Sequence, residues 1–170
     1  MPAGRWQVVS SAFFLCFLAF RRYHAAVSNK ADRIARLIRD YRTGGLNPYF
    51  LAYIDCFNRA EYYEAHDVLE QLWLKERHGA EGAFYKGLIQ LAGAFVHLQR
   101  DHLRPAAAIF RLAGANLSGY AGTHQRLAMP SVLALIDHWL AHLEERDYRV
   151  NPLRTEPGPL LRLDFAEGSN

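Results

Sequence analysis

Few of the features that announce a chemistry are present in this chain. Its 170 residues hold only two cysteines, Cys16 and Cys56. That excludes a disulfide scaffold. The lack of any Cys-x-x-Cys pair excludes zinc-ribbon chemistry. No run reaches the roughly 18 to 20 apolar residues that a spanning helix needs. No segment alternates polar and apolar residues for long enough to predict a sheet. A phosphate-cradling glycine loop is missing, and no nucleophile or acidic pair completes a mechanism. Disorder is excluded as well. The chain is 51% hydrophobic and 13% aromatic, enough to fill the core of one ordinary domain.

Charge is unevenly spread. Residues 1–42 carry eight basic side chains against two acidic ones, and the remainder carries 12 against 15. The pI near 9.0 therefore belongs to the N-terminal quarter. With a mildly acidic body and no basic surface interleaved with aromatics, no nucleic-acid partner is expected. Arg33, Arg36 and Arg39 are expected on a solvated helix face.

Residues 1–27 do not resemble the rest. Val8 to Phe20 is a mostly apolar stretch followed by Arg21-Arg22. It has the length of a signal core, but the arginine pair directly behind it is atypical of a cleaved signal. It is too short to span a bilayer unaided. A start at Val27, with the preceding residues upstream of the true initiator, is the preferred reading. The expectation is then a cytoplasmic protein; the alternative is export or membrane tethering through residues 6–22, and membrane contact would run only through residues 1–27.

From residue 28 onward the apolar spacing is helical. Ile34, Leu37, Ile38 and Tyr41 follow i, i+3, i+4, i+7, with Gly44-Gly45 as the stop. Asn47-Pro48 supplies an N-cap and a first-turn proline. The next helix ends near Asn58, a third runs from about Ala60 to Lys75 and a fourth from 81 to 100. Arg104-Pro105 opens a fifth and Met129-Pro130 a sixth. The expected fold is all-α: a single bundle of five or six antiparallel helices over residues 28–150, with an extended tail over 151–170.

Two stretches carry the polar residues of interest. The third helix contains Glu64-Ala65-His66, Glu70 and Trp73 after the Phe57-Asn58 turn. The fourth contains Phe84-Tyr85, Gly87-Leu88-Ile89-Gln90 and His97. Together they resemble the family known as domain of unknown function 309, over about residues 47–125. Ala60 departs from the pattern, standing where the family turn has glycine. The resemblance implies a small all-helical fold and supplies no reaction.

Helix geometry must therefore speak for the site. At 100° per residue, His66 and Glu70 share a face with Tyr62, and Glu64 falls nearly opposite His66. On the fourth helix a narrow stripe of Ala83, Gly87, Gln90, Ala94 and His97 separates two apolar arcs. Such a stripe either admits a close helix or lines a polar pocket. With the turn centred near Gly79, His66 falls level with Gln90, while His97 falls about 10 Å from His66. A His66–Gln90 hydrogen bond with Glu70 nearby is expected, rather than one metal shared by both histidines.

The expected function is binding of a small polar ligand or a metal between the third and fourth helices. The candidate ligand-binding residues are His66, Glu70, Gln90, His97, Tyr62 and Glu64. His66 and Glu70 are the candidate metal ligands. They are also the candidate acid–base pair, should the chain be an enzyme, which stays open along with any cofactor. The alternative is a non-enzymatic scaffold or interaction module in which the His/Glu/Gln network is purely structural. A homo-oligomer is compatible with either. His138 and His142, four apart on the sixth helix, are expected on its solvated face. The aromatic cluster from Tyr49 to Phe95 is expected in the core.

The N-terminal reading has a direct check. Mass spectrometry of the native protein should find no peptide containing Phe13 to Phe17; recovering one would show that translation does not begin at Val27.

Overall fold

A computed structural model describes residues 27–39, 41 and 45–164, so the signal, anchor and restart readings of residues 1–26 lie outside the described residues. Two compact units divide the chain, Met1–Arg36 and Leu37–Asn170. Six α-helices appear among the described residues: α1 (Val27–Ile38), α2 (Pro48–Asn58), α3 (Tyr62–Glu76), α4 (Gly82–Gln99), α5 (Leu103–Leu117) and α6 (Met129–Glu145). The fold is all-α, as expected. No described helix is long and apolar enough to cross a membrane.

Local chemistry sets the boundaries. Asn47 caps α2, its side-chain oxygen accepting from the Tyr49 N–H at 3.0 Å with Pro48 in the first turn. At the other end, Glu61 N–H donates to Cys56 C=O and Ala60 N–H to Phe57 C=O. This is the paired C-terminal closure that calls for a left-handed residue, and Ala60 takes it at φ 58°. Helix α1 ends at Ile38, earlier than its apolar spacing suggests. Tyr41 lies beyond it, and its hydroxyl donates to Asp55 at 2.5 Å.

Helix α4 lies at the centre. Fourteen of its eighteen residues are buried, as a helix apolar on nearly every side must be. Short connections bring α2, α3, α4 and α5 together as consecutive neighbours, and α6 packs on α5. The small stripe on α4 admits a neighbour: a Cβ at Gly87 would come within 2.5 Å of Leu117 on α5. Phe95 is the hub of the core. Its ring meets Phe57 of α2 at 5.5 Å, Tyr62 of α3 at 4.8 Å, Phe110 of α5 at 5.1 Å and Trp139 of α6 at 4.9 Å between centroids. Each such pair adds about 0.5 to 1.5 kcal/mol beyond the area it buries.

One small sheet departs from the helical expectation. Strands β1 (Thr123–His124) and β2 (Leu127–Ala128) pair antiparallel across Gln125 and Arg126, both at positive φ. Two left-handed residues make a turn whose twist matches a hairpin, a signal that Gln-Arg does not advertise in sequence.

Of the expected tail, residues 151–164 are described, and this part is fastened. After a 3-10 turn at Pro152–Arg154, Asn58 donates to Leu161 C=O at 2.8 Å and accepts from Leu161 N–H at 2.7 Å. Leu163 bridges to Leu127, and Leu161 is buried.

Ala60 carries a testable cost. Left-handed backbone disfavours a residue with a Cβ by about 1 kcal/mol or more. Ala60→Gly should raise stability by about 1 kcal/mol, or about 2 to 4 °C in Tm for a chain of this size, despite the extra freedom of the unfolded state. Thermal denaturation of the two proteins measures it, and a lower Tm would contradict this account of the turn.

Candidate functional site

Helix α3 places three ionisable side chains in one turn. His66, Asp67 and Glu70 each bring a nitrogen or oxygen atom within 4.8 Å of the others. Asp67 and Glu70 are 3% and 6% exposed, unusual burial for carboxylates. His66 keeps 19% of its side chain in solvent and sets Nδ1 3.6 Å from Asp67 Oδ1, beyond hydrogen-bond length. The site lies where three helices meet. The nearest side-chain atoms to a Cβ placed on Gly93 of α4 would be His66 Cδ2 at 3.8 Å and Ile109 Cγ2 of α5 at 3.9 Å.

Other expected partners stand elsewhere. Gln90 is buried, but its Oε1 accepts from Asn116 Nδ2 of α5 at 2.8 Å, and Asn116 also donates to Leu112 C=O. The hydrogen bond expected from Gln90 to His66 is thus replaced by one to α5. The reason is register. His66 faces Gly93, and Gln99 donates to Ala60 C=O at 3.0 Å; both pairs centre the α3–α4 hairpin between Gly79 and Ala80, which sets His66 level with Gly93, three residues beyond Gln90. Three residues on α4 rotate the side chain by about 300°, enough to send Gln90 to another neighbour.

Tyr62 belongs to the core. Its ring stacks on Phe95 and meets Phe57 edge-on, and its buried hydroxyl has no hydrogen-bond partner among the described residues. The tail covers it: a Cβ on Gly158 would come within 2.3 Å of that hydroxyl. Burial pushes the Tyr62 phenol up to about 12. Glu64 is half-buried and outside the three-residue cluster. His97 is one turn beyond Gly93 on α4 and also outside the cluster, with its ring centroid 5.8 Å from that of His102. Burial, with help from His102 and Arg100, pushes its imidazole down to about 4.

Two further residue sets resolve. Phe50, Phe57, Tyr62, Phe84, Tyr85 and Phe95 are buried, while Tyr49 and Tyr63 are half-buried. The cluster is core, not a stacking platform. Cys56 is buried too, and its thiol is pushed up to about 11 by that burial, which disqualifies it as a nucleophile. His138 lies half-exposed on α6, and both it and His142 meet Glu156 from the tail.

Asp67 is the residue that sequence reasoning passed over. It sits beside His66 in the motif, but 100° away on the helix wheel, and only the packing of α3 shows that this flank is buried. Asn116 and Glu156 gave no local signal, because their contacts are made across 26 and 18 residues.

Residues 50–109 match the family described as Domain of unknown function (DUF309). The match covers both motif helices and confirms the resemblance that the motifs carry. No curated protein and no solved structure matches the chain.

The His97 shift predicts a pH effect with a definite sign. A histidine in the unfolded chain titrates near 6.5, above its native value, so the unfolded state binds the extra proton between about pH 6.5 and pH 4. Stability should fall as pH falls through that window, by about 1 to 3 kcal/mol in all. Urea midpoints across the window should show the loss, and His97→Asn should flatten it; an equal acid loss in that variant would assign the effect to another group.

Proposed function

We propose that the chain binds one divalent transition-metal ion through His66, Asp67 and Glu70 at the junction of α3, α4 and α5. The observation that carries this reading is the convergence of one imidazole and two buried carboxylates within 4.8 Å on a single helix turn. Two carboxylates with a neutral imidazole match the charge and the donor preference of Zn2+, Mn2+ or Fe2+. Three protein donors leave coordination positions for water or a small polar ligand.

Gln90 falls outside this set. Its bond to Asn116 ties α4 to α5 and favours a structural role for that residue.

Untagged protein, its metal content and its melting temperature test the reading together. The expected outcome is that His66→Ala and Asp67→Asn each hold about one ion per chain fewer than wild type while keeping their helical circular dichroism. At a hundredfold excess over Kd, the ion at this site should add about 2.7 kcal/mol of stability to wild type, an increment that His66→Ala lacks. Equal metal content in wild type and His66→Ala, or a metal-free His66→Ala that loses as much stability as the holo protein gains, would return these residues to a purely structural network.

A further inference from the structure

A second cluster, remote from α3 in sequence, joins α6 to the tail. His138 and His142 stand one turn apart on α6 with ring centroids 4.3 Å apart. Glu156 turns a different carboxylate oxygen to each: Oε2 lies 2.9 Å from His138 Nε2 and Oε1 lies 2.6 Å from His142 Nδ1. The three offer ligand atoms within 4.8 Å of one another. We propose that His138, His142 and Glu156 form a separate binding site for a divalent transition-metal ion of the zinc type, which clips the tail onto α6.

The donor set suits that ion: two imidazoles and one carboxylate are the ligands zinc takes. Zinc bonds of 2.0 to 2.2 Å place tetrahedral donors about 3.3 Å apart. The two histidine–glutamate pairs need open by only about 0.4 and 0.7 Å to admit it. Access is open, since the side chains of His138, His142 and Glu156 are 50%, 31% and 29% exposed. Solvent would complete the coordination.

Glu156 is also held in advance. Its N–H donates to Pro152 C=O at 2.9 Å, and Thr155 Oγ1 donates to the same carbonyl. That turn is anchored by Asn151, which is buried and donates to Leu98 C=O at 2.6 Å. Binding therefore orders little new backbone, which is where preorganised sites gain affinity. Immediately beyond Glu156, Gly158 lies against the Tyr62 hydroxyl. A metal at Glu156 would fasten the segment that covers this part of the core.

The test uses the full chain without a histidine tag, titrated with ZnCl2. Glu156→Gln and His142→Ala should each weaken zinc binding about tenfold or more, since even outer-shell losses cost that much. His66→Ala should leave this second ion in place. Zinc should also slow tryptic cleavage after Arg154 and Arg162 several-fold in wild type and not in Glu156→Gln, a surface substitution that keeps the size of the side chain. Unchanged zinc affinity in both variants would overturn the proposal and leave a hydrogen-bonded pin. Loss of all zinc in His66→Ala alone would also overturn it, while leaving the α3 reading intact.

Discussion

Phe95 is touched by an aromatic ring from each of α2, α3, α5 and α6, and this contact organises the molecule. A ring can accept four edge-on or stacked neighbours only if its helix is surrounded. Helix α4 meets that condition by burying most of its length. Its neighbours must then present apolar faces toward it and come close. Gly87 lets α5 do so, because any side chain there would collide with Leu117. The tail completes the enclosure over Tyr62, fastened through both polar atoms of the Asn58 side chain.

That enclosure governs the polar groups within it. A polar side chain on a helix covered all round must find a partner inside the protein. Gln90 finds Asn116 across the α4–α5 contact. His66, Asp67 and Glu70 converge on one turn of α3. The surface cluster on α6 differs in kind. Its carboxylate comes from the tail, so anything it binds acts on the attachment of that segment rather than on the core.

Much of the architecture was legible in the residues. The Asn47-Pro48 cap, the stop at Asn58 and the Met129-Pro130 start all lie where short-range chemistry puts them. The departure at Ala60 was visible as well, although its meaning was not; the left-handed backbone there explains why glycine suits the position. The site was half legible. His66 and Glu70 could be placed on one face by arithmetic, because their relation lies within a single helix. Asp67 could not, since its burial depends on what packs against its flank.

The sequence alone thus determined the helices, their order and the aromatic core, all of which follow from local dihedral preferences and the 3.6-residue period. Tertiary structure decided the pairings. The α3–α4 register sets Gly93 opposite His66, three residues beyond Gln90, and Gln90 bonds Asn116 instead. A fold in the tail brought Glu156 to two histidines that the helix wheel had left in solvent. Both outcomes depend on the relative placement of segments. Many weak packing contacts set that placement together, and no short stretch of residues encodes it.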